Sequence, residues 1–437
     1  MIDQTIVAVA TATGAAGVAV VRLSGDNPLQ IASQMFIPTG KKPVMEFEPY
    51  RMYPGEIDCG SFRDFGMCVY FRAPHSFTGE DVVEFHSHGG VAIARGVFSH
   101  AVALGARPAT RGEFTRRAFL NGKLSLSSAE GLIDMIESES ESAVRAGYSL
   151  YREKLANCVI NMQNDVKIAL AGIEANIDFP EEGIEETETQ TVRECVEKTL
   201  TEIDRLLQTY HAGSRIKNGV KVALVGSPNT GKSSLFNAFI GYDRAIVTDI
   251  PGTTRDVVDG AVEWEGVRFV FSDTAGIRTA TDEVEKIGIA RSEKEAMGAD
   301  IVLRLFDSTV GGQTQPADER EIIVFNKCDL APAPDGVIAV SARTGDGIET
   351  LKQAILQKAE TGKIDENAGF LTEERHYYAL QRAKEELLEV LDKIGIVPLD
   401  LLAVNLLSAW QTLGEITGET APEAVVNEIF SRFCVGK

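Results

Sequence analysis

The chain has 437 residues, 44% of them hydrophobic and 24% charged, which fits two to four soluble globular domains, and no run of about 18 apolar residues marks a membrane span. Its formal net charge of −21 argues against broad, non-specific nucleic-acid binding, so any RNA contact is a local patch or is supplied by a partner. The start Met1-Ile2-Asp3-Gln4-Thr5 lacks a secretory pattern, and the six cysteines form no C-x-x-C pair, so a reducing, cytoplasmic setting is expected rather than disulfides or zinc.

Residues 1 to about 118 read as α/β. The runs Ile6–Ala10, Val18–Leu23, Phe65–Phe71 and Val82–Phe85 are β-prone, and the first two are separated by Thr13-Gly14-Ala15-Ala16-Gly17. His86 and His88 stand two apart and share a face on a strand. They suit a metal pair, or structural or substrate-contacting histidines; spacing places no third ligand. Pro108–Lys123 is dense in charges and turn residues, with Phe114 and Phe119 interleaved, and reads as a solvated loop or a site loop.

From Ser127 the period changes. Ser127-x-x-Glu130 has the form of a capping box, and a long helical segment is expected to run to Ile177, stopped by Pro180. Leu155, Val159, Met162, Val166, Leu170, Ile173 and Ile177 form its apolar stripe. The tract Glu181–Glu186 reads as a solvated loop, and a further helix carries Val192, Val196, Leu200, Ile203, Leu207 and Tyr210. Helices return at Thr372–Lys393, at Leu399–Ile416 and from Thr420, with the box Thr420-x-x-Glu423 and Pro422 in the first turn. The ending Phe433-Cys434-Val435-Gly436-Lys437 is a flexible tail by default, although its apolar residues allow docking.

Between the helical stretches lies the most informative segment. Val220–Val225 reads as a buried strand, then breaks into Gly226-x-x-x-x-Gly231-Lys232-Ser233 and a helix. This is a phosphate-binding P-loop in its required context, with backbone N–H groups aimed at phosphate oxygens. Lys232 would reach the β- and γ-phosphates, and the Ser233 hydroxyl would join Mg²⁺. Asp273-Thr274-Ala275-Gly276 ends the strand Val267–Ser272, where a switch should meet the γ-phosphate. Asn326-Lys327-Cys328-Asp329 follows Ile322–Phe325, and Asp329 would accept from N1 and the 2-amino group of guanine. Ser341-Ala342-Arg343 follows Val337–Val340 and suits the last guanine loop. Four motifs in order, each at a strand end, define a GTP/GDP switch domain; Asn229, Thr230 and Ser234 complete its phosphate loop. Ile277 stands where Ras-type switches carry a water-orienting glutamine, so Glu285 is the candidate for that role. Only 18 residues separate Asp307 from Asn326, with Gly311, Gly312 and Pro316 among them, which makes a helix there doubtful; Arg304 interrupts the strand Ile301–Phe306.

With these pieces in place the chain resembles the tRNA-modification GTPase MnmE (TrmE) family along essentially its whole length. The resemblance is carried by Thr13–Gly25, Ser76–Asp81, His88–Gly90, Arg107–Lys123, Ile177–Pro180, Ile250–Asp256, Asp282–Gly288 and Phe433–Lys437. It implies an α/β tetrahydrofolate-binding, dimerising domain over 1–118, a discontinuous helical domain over 119–215 and 361–437, and an inserted Ras-like P-loop GTPase domain over 216–360. It implies a homodimer that works with a flavin-dependent partner, MnmG (GidA). Together they would add a carboxymethylaminomethyl-type group to carbon 5 of the wobble uridine of certain tRNAs, using a folate one-carbon unit.

The same resemblance places 5-formyltetrahydrofolate contacts on Arg22, Glu80, Lys123 and Lys437. It places K⁺ ligands on Asn229, Thr248, Ile250 and Thr253, puts Thr254 beside Ser233 on Mg²⁺, and gives Glu285 the water. Thr248, Thr253 and Thr254 belong to the switch loop around GTP, and Glu285 with Lys232 would be catalytic. The family's terminal cysteine falls on Cys434, a candidate nucleophile for which no adjacent base is placed by sequence. A GTP-dependent switch in ribosome assembly is the competing reading, which the N-terminal signature and the Phe433–Lys437 ending do not fit. A degenerate switch fits poorly with Lys232, Ser233, Asp273 and Asp329 all in place.

Overall fold

A computed structural model describes residues 4–178, 185–242, 260–272, 296–359 and 368–436. By packing the chain divides into two compact units, Met1–Ile133 with Gly414–Lys437, and Asp134–Leu413.

The first unit is built on a sheet of β1 (Ile6–Val9), β2 (Ala16–Gly25), β3 (Phe36–Pro38), β4 (Met52–Asp58), β5 (Arg63–Phe71), β6 (Asp81–Gly89) and β7 (Arg107–Pro108). Among the described residues their order is β3-β4-β5-β6-β2-β1-β7, and the pairs are antiparallel except β1 with β7. Period-2 alternation sets the faces. In β2, Ala19, Val21 and Leu23 point inward while Val18, Val20 and Arg22 take the other side. The inner face closes over α1 (Pro28–Met35) and α2 (Val91–Ala103), with Val21, Leu23, Met35, Ile57, Phe85 and Val97 buried together. The outer face keeps Val18, Met52, Phe65 and Met67 exposed.

Two expectations change here. Pro108–Lys123 is not a loop: it holds α3 (Glu113–Leu120), whose Phe114, Arg117 and Ala118 are buried. Spacings of three and four residues put these on one helical face. Gly112 caps it at φ 65°, where a Cβ would lie 2.2 Å from the Phe430 carbonyl oxygen. The next helix, α4 (Leu126–Glu137), is capped by Ser125 rather than Ser127: the Ser128 N–H donates to Ser125 Oγ at 3.1 Å. Ser127 already lies inside the helix.

The chain end is docked. The C-terminal helix Glu423–Ser431 starts after Pro422, not Thr420, and its Val426, Ile429 and Phe430, with Phe433, pack on Ala118, Leu126 and Ala129. Val435 bridges Arg111, and a Cβ on Gly436 (φ 101°) would meet the Val9 carbonyl oxygen at 2.5 Å. This packing is why Gly414–Lys437 groups with Met1–Ile133 rather than with the remaining helices.

In the second unit the long helix expected from Ser127 to Ile177 is interrupted. After α4 come α5 (Glu141–Tyr151) and α6 (Lys154–Asp178). Ser140 caps α5 by accepting the Ala143 N–H, and Glu153 breaks the chain at φ 61°. The α6 stripe Leu155, Val159, Met162, Val166 and Ile173 is buried, and so are Val192, Val196, Leu200 and Ile203 of α7 (Glu185–Asn218). The helix expected from Leu399 runs to Thr417, and that expected from Thr372 is Glu374–Lys393.

Between these helices stands the second sheet: β8 (Val220–Val225), β9 (Gly260–Trp264), β10 (Val267–Ser272), β11 (Ile301–Asp307), β12 (Glu321–Asn326) and β13 (Ile338–Ala339). Its order among the described residues is β13-β12-β11-β8-β10-β9, parallel except for β9. The central strands are buried on both faces, hence the near-continuous apolar runs in sequence. Arg304 on β11 now has a partner: its Nε pairs with Glu321 on β12, whose other oxygen accepts the Ala317 N–H at 2.6 Å. No helix occupies 308–320.

Candidate functional site

The phosphate loop leaves β8 at Val225 and enters α8 (Lys232–Tyr242). Two left-handed positions shape it, Asn229 (φ 62°) and Gly231 (φ 91°). At Gly231 a Cβ would fall 2.1 Å from Asn326 Nδ2, and at Gly226 another would fall 2.4 Å from the Leu305 carbonyl oxygen. Only glycine leaves room for β11 and β12 to close on the loop. The Lys232 ammonium donates to the carbonyls of Gly226 (2.7 Å) and Ser227 (3.0 Å), so it arches over the loop. Ser233 and Ser234 sit exposed in the first turn of α8, where N–H groups and the helix dipole favour an anion.

On the base side, Asn326 is buried and acts as a clamp. Its Nδ2 donates to the Thr230 carbonyl (2.8 Å), and its Oδ1 accepts the Ala342 N–H (3.1 Å). It joins the phosphate loop to the Ser341-Ala342-Arg343 loop. Ser341 Oγ donates to Asp329 Oδ1 at 2.7 Å, which orients that carboxylate. Lys327 (φ 66°) donates to Asp307 Oδ2 at 2.5 Å. That bond, helped by two from Thr309, holds the Asp307 carboxyl down at about 2. Asp307 and Thr309 were not singled out by sequence; an aspartate at a strand end facing a motif lysine was the available signal. Thr248, Ile250, Thr253, Thr254, Asp273, Thr274, Ala275, Gly276 and Glu285 lie outside the described residues.

In the first unit the structure brings Arg22, Glu80 and Lys123 into one neighbourhood; Lys437 lies outside the described residues. Arg22 faces Glu84 in the β2–β6 register and donates to it through Nε at 2.6 Å. Its guanidinium lies 5.8 Å from the ring centres of both Phe77 and Phe114. Burial raises the Glu84 carboxyl, but His86 and Arg22 outweigh it, so the net shift is downward. Glu80 accepts from Ser24 Oγ (2.7 Å) and from Arg117. Lys123 Nζ donates to the Pro74 carbonyl at 3.0 Å, and Asn121 Nδ2 to the Thr78 carbonyl at 2.8 Å. These bonds fix the loop that carries Phe77 and Glu80.

The two histidines go to different carboxylates, His86 to Glu84 (3.2 Å) and His88 to Asp64 (2.7 Å). No group of three or more metal-ligating side chains occurs among the described residues. Cys434 is exposed, and its carbonyl lies 3.5 Å from the Gly112 N–H. Sequence reasoning missed Arg117 and Glu84; the Glu113-to-Arg117 spacing of an i,i+4 pair was a legible hint for the first.

Comparison with known proteins matches both parts of the chain. The family profile described as the GTP-binding protein TrmE N-terminus covers residues 5–123, and that described as the MnmE helical domain covers 126–434. The chain is 37% identical over 461 residues to the tRNA modification GTPase MnmE of Desulforamulus reducens, with 100% of each chain covered. It is 38% identical over 458 residues to that of Symbiobacterium thermophilum, again over 100% of each chain. With that of Chloroflexus aurantiacus the identity is 41% over 457 residues, at the same coverage. An α/β N-terminal unit, helices on both sides of an inserted P-loop sheet and whole-length identity agree: the chain belongs to the MnmE family of tRNA-modification GTPases.

Proposed function

We propose that this chain is the K⁺-dependent GTP-hydrolysing component of a complex that adds a carboxymethylaminomethyl-type group to carbon 5 of the wobble uridine of certain tRNAs. A flavin-dependent partner, MnmG (GidA), would share the reaction with electrons from NADH; a tetrahydrofolate would supply the one-carbon unit, and glycine the remaining –NH–CH₂–COO⁻. The observation that carries the reading is the pairing of two sites in one chain: the phosphate loop clamped by Asn326, and the Arg22–Glu80–Lys123 cluster. Functionally, about 1–118 would bind folate and dimerise, 119–215 with 361–437 would form the helical part, and 216–360 would hydrolyse GTP.

The residues do the following work. N–H groups from Asn229 to Ser234 hold the β- and γ-phosphates, and Lys232 leaves its loop carbonyls for phosphate oxygens as they take on charge. Asp329, oriented by Ser341, accepts the guanine N1 and 2-amino protons, which adenine does not offer in that pattern. Thr253, Thr254 and Asp273 to Gly276 would close on the γ-phosphate, and Glu285 would orient the attacking water. The exposed hydroxyl of Ser233 and the exposed Asn229 side chain offer hard oxygen donors, suited to Mg²⁺ and K⁺ respectively. Thr254 would complete the first set, and Thr248, Ile250 and Thr253 the second. The cations would neutralise charge developing between the β- and γ-phosphates.

Exposed Val18, Met52, Phe65 and Met67 on the open face of the first sheet support a homodimer joined there, because so apolar a face is a poor water surface. GTP hydrolysis is expected to run at least about tenfold faster in K⁺ than in Na⁺, because a charge-stabilising group aimed at the transferred phosphoryl is lost without it. Equal rates remove the K⁺ role. The whole reading is tested by incubating the chain with a flavoprotein partner, NADH, GTP, Mg²⁺, K⁺, a tetrahydrofolate carrying a one-carbon unit, glycine and unmodified tRNA. Mass spectrometry should find the modified wobble uridine, and its absence with an active partner overturns the assignment.

A further inference from the structure

Arg117 is a buried charge to which neither the nucleotide reading nor the folate contacts give a role. Its side chain is only 4% exposed. Nη1 donates to both oxygens of Glu80, at 3.1 and 3.0 Å. Nη2 donates to the Gln4 carbonyl at 3.1 Å and to Glu113 Oε1 at 3.0 Å. Glu113 is itself held by Arg107 and by both donors of Thr110. Burial pushes the Glu113 carboxyl up, but these bonds bring it down to about 2, so it stays an anion for Arg117. The guanidinium is thus fixed from behind and presents one nitrogen to Glu80.

Arg117 and Ser24 leave Glu80 part of its accepting capacity. A carboxylate offers about four lone-pair positions. Oε2 accepts Arg117 and Ser24 Oγ, and Oε1 accepts Arg117 alone. One position remains, on Oε1. Around it stand groups suited to a flat ligand with a negative tail. Partly buried Phe77 flanks Arg22, and Phe114, fully buried on α3 three residues before Arg117, backs the Arg22 guanidinium from inside. Gly79 presses on the Lys123 stem, where an added Cβ would meet Lys123 Cγ at 3.3 Å.

We propose that Arg117 is a positioning residue of the folate site, fixing Glu80 so that it offers a ligand one acceptor, Oε1, and takes a single N–H of a reduced pterin rather than an in-plane pair. The proposal rests on the folate reading of Arg22, Glu80 and Lys123. A lysine cannot replace this guanidinium, because a single ammonium cannot span Glu80, Glu113 and the Gln4 carbonyl in the same fixed fork.

The test is calorimetric titration of the full chain with 5-formyltetrahydrofolate, comparing wild type, Arg117→Lys, Glu80→Gln and the double variant. Each single change should weaken binding by about 10- to 100-fold, the range for losing a charge-assisted hydrogen bond. The double variant should be no weaker than the poorer single, because both changes disable one unit. GTP hydrolysis and the melting temperature report that the fold is intact. Multiplying losses, or an Arg117→Lys protein that binds like wild type, overturn the proposal. If Arg117→Lys does not fold, Ser24→Ala is read the same way: its loss should appear on the wild-type background and vanish with Glu80→Gln, and a loss on both backgrounds overturns the proposal. A wild-type protein that shows no affinity removes the folate reading itself, and the role of Arg117 with it; a binding wild type with an unaffected Arg117→Lys removes the role alone.

Discussion

The two candidate sites are made of different materials. The nucleotide site is made from backbone: glycines without side chains, N–H groups at a helix start, and one buried amide joining two loops. The N-terminal site is made from paired charges, with Arg22 on Glu84, Arg117 on Glu80 and Glu113, and Arg107 on Glu113. A backbone-built site fails when space is filled. A charge-built site fails when one partner is removed and the other is left buried. This difference governs how each responds to substitution.

The largest expected effect is at Gly231. Alanine there meets Asn326 Nδ2 and must hold φ 91°, so about 1–3 kcal/mol of backbone strain comes on top of a displaced Asn326 clamp, and GTP affinity should fall by roughly 100-fold. Titration with a fluorescent GTP analogue measures it, while folate binding should be untouched. Near-normal GTP affinity would break the contrast between the sites. Next comes Asn326→Ala, which keeps the space but strands the Thr230 carbonyl and the Ala342 N–H. Each stranded group costs about 1–3 kcal/mol with or without nucleotide, so most of the loss appears as a lower melting temperature, and GTP should bind roughly 10-fold more weakly.

The smallest effect concerns charge alone, within the second unit. Asp134 lies beside Lys217 at 2.8 Å, and Lys217 also pairs with Glu373. Burial first, and the Glu373 charge second, raise the Asp134 carboxyl to about 8. The folded state therefore holds a proton that the unfolded chain releases near 3.9. Its contribution is fully present below that value and is lost as pH rises through about 8. Melting curves between pH 5 and 8 should fall less steeply for Asp134→Asn than for wild type. Identical slopes would mean that this carboxyl is ionised throughout.

What could be read in advance follows the same division. Strand, glycine turn and helix around 226–233 are neighbours in sequence, and β8 and β12 are legible as near-continuous apolar runs because both faces of these strands are covered. The pairing of Arg22 with Glu84 depends instead on the β2–β6 register, which no local pattern states. Arg117 is hidden for a further reason: its stretch is as rich in charge and turn residues as a solvated or site loop, although Phe114, Arg117 and Ala118 make a helical face. The extended helix from Ser127 was overdrawn because the apolar period continues across the breaks at Ser140 and Glu153, and only capping and a left-handed residue mark them. Arg304 had no account in sequence because its partner, Glu321, is on another strand.

The docking of Gly436 against Val9 also bears on how the molecule is made. The first unit closes with residues from 414 onward, yet the ribosome delivers them roughly 280 residues after Ile133, which is about 15 to 60 s later at 5–20 residues per second. During that interval the Ala118–Leu126–Ala129 surface has been synthesised but its cover, Phe430 and Phe433, has not. The second unit, by contrast, has all its own segments once residue 413 has emerged. The order of synthesis thus leaves the first unit as the last to be finished, and makes it the unit most in need of protection while the chain is still growing.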